Sequence, residues 1–219
     1  MSDTKTDLPR RSTYRHGDLR AALLQAGVEL AREGGPQAVV LREATRRAGV
    51  VPNAAYRHFA SQQELLQAVR SASLAALARA IETEMLQALA SLPARRPAAA
   101  LARASLRAVG TGYMEFAQDE PGLFRTAFSV PDLFKGAPVP EKGGDSGLNP
   151  FQLLGTALDK FVVAGLLTPK QRIGADYLAW SAVHGLALLL IEGPLREMPR
   201  QQARMVGQRL LDMVEKGIY

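Results

Sequence analysis

Apolar residues recur at spacings of three and four along almost the whole 219-residue chain, and no run alternates convincingly with the period of two that a half-buried strand requires. The first such stripe, Leu19, Ala22, Leu23, Ala26 and Leu30, is stopped by Gly34-Gly35-Pro36. Short helices are expected from about Leu41 to Ala48, ending at Gly49, and from Pro52 to His58 or Phe59, since proline suits the first helical position. Ser61-Gln62-Gln63-Glu64 reads as a capping box. It opens a helix that carries Leu74, Leu77, Ile81 and Met85 and ends near Ser91-Leu92-Pro93, about 43 Å in length. Further helices are expected over about 97–118, 121–130, 150–166, 169–192 and 199–216. The chain therefore reads as all-α, with about nine helices and no repeat of 20–50 residues. Residues 135–149, rich in Gly and Pro, read as a mobile loop.

Composition removes several function classes. There is no cysteine, which excludes disulfides and thiolate metal sites, and the three histidines show no ligand spacing. No metal and no cofactor is expected. The first twenty residues are polar and charged, unlike a signal peptide. The longest apolar stretch, Tyr177 to Ile191, falls short of the roughly 20 residues needed to cross a bilayer and contains His184 and Gly185. A cytoplasmic chain without a membrane partner is expected. The net charge is +6, and residues 1–60 hold ten Lys/Arg against six Asp/Glu, so most of the excess sits in the first quarter of the chain. That placement suits a segment facing phosphates.

Residues 41–59, LREATRRAGVVPNAAYRHF, are the sharpest constellation. Two short helices meet at Gly49, which adopts a positive φ without strain. Ala44 and Ala48 permit close approach, and Val50 and Phe59 can pin the pair to the first helix. This is either a helix-turn-helix whose second helix fits a major groove about 12 Å wide, or an ordinary helical hairpin of a bundle. Tyr56 and Phe59 have a plain core reading beside the functional one, and Arg46 and Arg47 a solvated one.

With these residues in view, the chain resembles the TetR family of repressors. The resemblance rests on Tyr14 to Leu30 (YRHGDLRAALLQAGVEL), LREATRRAGV, Tyr56-Arg57-His58-Phe59, Ser61 and Glu64-Leu65-Leu66, in the family's order and spacing. Tyr113-x-x-Phe116, Pro121-x-x-Phe124 and Trp180-x-x-x-His184-Gly185 extend it, and resemble the subgroup whose ligand-binding domain is named for W, H and G. The resemblance implies a basic arm at 1–16, a three-helix DNA-binding domain at 17–70 and a helical ligand-binding and dimerisation domain at 71–219. It implies duplex DNA with a palindromic operator, a small-molecule effector and a second copy of the chain as partners. Pro52, Asn53 and Ala54 would face base edges, Asn53 with a side chain able to make a bidentate contact to adenine. Tyr56 and His58 would contact phosphates or a thymine methyl. Arg42 and Arg57 are further contacts, and Arg10, Arg11 and Arg15 would lie on the backbone or in a minor groove. Val40 and Val51 stand where the family usually has a Ser or Thr cap, at about 1 kcal/mol each. Gln62 stands where a lysine commonly grips a phosphate, which should flatten the salt slope by about one unit.

The helix over Tyr177 to Ile191 is apolar nearly all round and must be covered on both sides. Gly185 and Leu189, with Ala203, Val206, Gly207, Leu210 and Val214 of the last helix, are expected to form a four-helix dimer interface, or else an internal core. Tyr113, Phe116, Phe124, Phe128, Trp180 and His184 are expected to line a cavity for an apolar or aromatic effector, with plain core packing as the alternative. Gly110 and Gly112 inside a helix would make room for that ligand or for a neighbouring helix. The expected function is a ligand-released transcriptional repressor, not an enzyme. An enzyme using His184 with Asp176 or Glu192 lacks a nucleophile motif, and a helical adaptor that does not bind DNA is the remaining alternative.

Overall fold

The computed structural model describes residues 19–129 and 140–218. These form ten α-helices and two single 3₁₀ turns, with no strand among the described residues. Helices α1 (Leu19–Gly34), α2 (Leu41–Arg47) and α3 (Pro52–Ala55) pack together, and α1 carries them on the first turns of α4 (Gln62–Ala90). A second bundle is built from α5 (Ala98–Asp119), α6 (Pro121–Ala127), α7 (Pro150–Val163), the one-turn α8 (Pro169–Arg172), α9 (Ala175–Ile191) and α10 (Arg200–Gly217). The long α4 runs through both groups and makes its broadest contact with α5. One continuous core joins them, from Leu23, Phe59 and Leu65 near α1 to Phe161, Ala187 and Leu211 near α10.

The punctuation is chemical. Ser61 caps α4 by accepting from the Glu64 N–H at 3.1 Å, while the Glu64 carboxylate accepts from the Ala60 N–H at 2.7 Å. The box predicted from sequence therefore closes one residue earlier than the usual pattern. Asn149 and Gln152 form a complete capping box on α7, and Thr168 and Gln171 another on α8. Val40, in an extended conformation ahead of α2, offers no side-chain cap. Val40→Ser is accordingly expected to stabilise the chain by about 1 kcal/mol, read as a rise in the denaturant midpoint at constant slope.

One expectation is corrected. The helix read over 169–192 is broken: Ile173 is extended and Gly174 takes φ 81°, so α8 ends and α9 starts afresh. This break is why ten helices stand where nine were expected. Within the stretch read as a mobile loop, residues 144–148 make defined hydrogen bonds. The Glu82 carboxylate of α4 accepts from the Asp145 N–H at 2.7 Å, the Ser146 N–H at 3.0 Å and the Ser146 hydroxyl at 2.5 Å. Residues 135–139 of that stretch lie outside the described residues, as do Arg10, Arg11 and Arg15. Among the described residues no helix is long and apolar enough to cross a membrane.

Candidate functional site

Phe59 anchors the corner made by α2 and α3. It is 0% exposed, and the Arg20 guanidinium sits 4.9 Å from its ring centroid. Gly49 turns the chain with φ 67°, and the Val50 N–H donates to the Thr45 carbonyl across the corner. Backbone bonds carry the coil beyond α3 by one further turn, with the His58 and Phe59 N–H groups donating to the Ala55 carbonyl at 2.9 and 3.0 Å. The core reading thus holds for Phe59 and not for Tyr56, which is 58% exposed.

Arg42, Asn53, Tyr56, Arg57 and Gln62 are all exposed, while Ala54 and His58 are half-buried. Arg42 and Arg57 have no carboxylate partner among the described residues. Arg46 and Arg47, read as solvated, are exposed and also ion-paired. Arg46 donates to both Glu43 oxygens at 2.9 and 2.6 Å, and Arg47 donates to both oxygens of Glu33 on α1 at 2.7 and 2.6 Å. Hydrogen bonding from Arg46 first, then Arg47, lowers the Glu43 carboxyl to about 2. The Arg47 fork braces α2 against α1 while the Arg46 fork stays within α2, and together they leave Arg42 and Arg57 as the free cations of the corner among the described residues.

A cavity lies between α5, α7, α9 and α10. The cavity is narrow as it stands, with a volume of about 30 Å³, and it opens to solvent at its mouth. Tyr113, Phe128 and Trp180 line it as expected, together with Leu106, Val109, Phe151, Leu154 and Val183. Phe116 and Phe124 do not line it. Both are buried core, Phe124 with its ring edge-on to Tyr113 at 5.3 Å. The cavity wall nearest α10 was missed, namely Leu211, Val214, Glu215 and, from α5, Arg107. Gly110 belongs to this wall, where a Cβ would stand 2.3 Å from a Leu211 methyl; Gly112 instead backs onto the α4 backbone at Ile81.

His184 stands behind the wall in a short polar chain. The Trp180 indole N–H can only donate, so the Tyr113 oxygen accepts it at 3.1 Å and turns its own proton toward His184 Nδ1 at 2.7 Å. The imidazole proton then belongs on Nε2. Burial holds the His184 imidazole below its ordinary value of 6.5 and pushes the Tyr113 phenol well above 10. The unfolded chain takes up a proton at His184 that the folded chain resists, so stability falls as pH drops below 6.5. The unfolded chain also ionises Tyr113 first, so stability falls again as pH rises above 10. Thermal melts should therefore plateau between these values. His184→Asn, which keeps an acceptor for Tyr113, should flatten the fall between pH 6.5 and 5; an unaltered slope there would assign it to other groups.

The faces of α9 and α10 divide differently from expectation. Ala203, Gly207 and Val214 turn inward, Gly207 against Met114, and are spent on the chain's own core. Val206 and Leu210 are half-buried. The outward stripe consists of Leu178, Gly185, Leu188 and Leu189 on α9, with Met205 and Met213 on α10. Leu178 is 65% exposed and Met213 59%.

Helix α6 touches both regions. Phe128, just past its end, faces the cavity. At its start, Gly122 lies against the last turn of α1, where a Cβ would stand 2.3 Å from the carbonyl oxygens of both Ala31 and Arg32. Beside this contact, the Arg32 guanidinium donates to Glu120 at 2.8 and 3.1 Å.

Residues 23–69 match the family model of bacterial regulatory proteins, tetR family, and residues 106–214 match that of the tetracyclin repressor-like C-terminal domain. No curated protein sequence matches the chain significantly. Among solved structures, the chain is similar to a protein of unknown function from Rhodococcus sp. RHA1, at TM-score 0.70 and 25% identity over 94% of this chain and 98% of that one. It is also similar in fold to the TetR family transcriptional regulator PfmR from Thermus thermophilus, at TM-score 0.54 and 17% identity over 89% and 97%. A bacterial regulatory protein in the tetR family from Rhodococcus RHA1 gives TM-score 0.51 and 15% identity over 92% and 97%.

Proposed function

The chain belongs to the TetR family and is a transcriptional regulator, and from that premise we propose that it is a cytoplasmic, dimeric repressor released from a palindromic operator by a small apolar effector. The observation that carries this reading is the position of α6, with one end at the cavity through Phe128 and the other on the backbone of α1 through Gly122. A ligand that displaces Phe128 pushes on α6, and α6 packs on both α1 and α4. An effector-bound state in which α4 is tilted no longer presents the two α3 helices at operator spacing. A coupling of about 1–3 kcal/mol suffices for substantial release.

In this reading the outward stripe of Leu178, Gly185, Leu188, Leu189, Met205 and Met213 meets its own copy, flanked by Val206 and Leu210. Exposed apolar residues at helical spacing on two adjacent helices are what a two-fold four-helix interface needs. The copies then set half-sites one turn apart, about 34–36 Å.

Gel-shift titration with the DNA upstream of the chain's own gene tests the proposal. A complex of one dimer per site is expected. Arg42→Ala should weaken binding to all sequences and lower the salt slope by about one. Asn53→Ala should cost about 1–3 kcal/mol at one operator position and relax preference there. Equal losses on every duplex from both variants would refute this division of roles. A monomer that shifts no duplex at low salt would leave the adaptor reading, which the uncapped Val40 favours.

A further inference from the structure

One wall of the cavity is not apolar. Arg107 of α5 lines it, and its guanidinium is used only in part. Nη2 donates to the Asp212 carboxylate of α10, while Nη1 is buried and has no hydrogen-bond partner among the described residues. The Arg107 side chain is 35% exposed as a whole, but its Nη1 is not, and a buried guanidinium N–H left without an acceptor is costly. The other lining residues offer little remedy, since most are aliphatic or aromatic and the Tyr113 hydroxyl is taken up between Trp180 and His184.

The charges around Arg107 are already balanced. Asp212 faces Arg107, and Glu215, which also lines the cavity, accepts from Arg103 Nε at 2.7 Å. An anion entering here would meet two carboxylates and gain no unpaired cation. An oxygen that accepts without carrying charge meets the need of Nη1 and leaves both ion pairs in place.

We propose that the effector is an apolar molecule bearing one uncharged acceptor oxygen, a ketone or ester carbonyl, which accepts from Arg107 Nη1. This rests on the reading of the cavity as the effector site. The hydrocarbon part of the molecule lies against Leu106, Val109, Leu154 and Trp180, and the carbonyl turns toward the α5–α10 side. Direction comes from the single guanidinium donor and affinity from the apolar walls.

Trp180 is the single tryptophan of the chain and lines the cavity, so its emission reports occupancy. The full-length protein is titrated with three probes of matched length: 2-nonanone, nonanoate and n-nonane. In the parent, 2-nonanone is expected to perturb Trp180 and bind at least tenfold more tightly than nonanoate. Arg107→Met should weaken 2-nonanone at least tenfold and change n-nonane less than threefold. Arg107→Lys keeps a cation for Asp212 but lacks the second fork nitrogen, and should show the same selective loss should the Met variant fail to fold. Unchanged 2-nonanone affinity in the Lys variant, or nonanoate as the tightest probe, overturns the inference while the effector reading of the cavity stands. If no probe perturbs Trp180 although operator binding is intact, the cavity reading and this inference fall together.

Discussion

Phe59→Ala is expected to abolish operator binding while leaving the second bundle folded. Phe59 is fully buried in the core just past α3, and its ring lies under the Arg20 guanidinium of α1. Truncating such a phenylalanine costs about 3–5 kcal/mol, because the loss of burial is joined by the loss of contacts around the void. The corner is small, and α2 and α3 have few other large side chains in the core. The cost therefore falls on residues 41–59 before it falls on α5 to α10. Hydrogen exchange in that segment should quicken by about two to three and a half orders of magnitude, since each 1.4 kcal/mol is tenfold. Trp180 emission should be unaltered. Parent-like DNA affinity in the variant would mean that the corner is held by something other than Phe59.

Gly122→Ala has the second large effect, and its site is distant from both DNA and cavity lining. The added methyl would stand 2.3 Å from two α1 carbonyl oxygens, and backbone cannot swing aside as a side chain can. Helix α6 must back away from α1, at about 2–3 kcal/mol. For a chain of this size the midpoint of thermal unfolding should drop by about 4–12 °C. A gap at this joint should also weaken communication, so that a ligand still bound at the cavity releases less DNA. A variant that melts with the parent would show that the α1–α6 approach is looser than these distances state.

Legibility from sequence followed the reach of the signal. The corner over 41–59 was readable because Gly49, Pro52 and Ser61 act on their own neighbours through φ, the missing N–H and the cap. The break at Gly174 was missed because Pro169 and the apolar run after it fit a single helical period, into which one glycine blends. Its clue was a glycine within a periodic stretch, flanked by the isolated Thr168 cap. The fixing of residues 144–148 could not be read, since its acceptor, Glu82, is about sixty residues away in sequence. Phe116 and Phe124 share the aromatic character of Phe128, and only the packing of α5 against its neighbours decides which rings reach the void. Ala203, Gly207 and Val214 form a true apolar stripe on α10. A stripe declares that a face is covered, and not whether the cover is the same chain or another copy.

The grip of Glu82 on residues 145 and 146 bears on how far the DNA end can swing. Glu82 lies twenty residues into α4, and the segment it holds runs directly into the capped start of α7. That point of α4 is fastened to the second bundle, leaving an arm of about 30 Å between it and Gln62. A turn of about 5° around the fastening carries the tip roughly 2.6 Å sideways, with the opposite sense in the second copy of the proposed dimer. Displacement is multiplied by leverage, so under the proposed mechanism a small shift of α6 suffices to put the two reading heads of a dimer out of step.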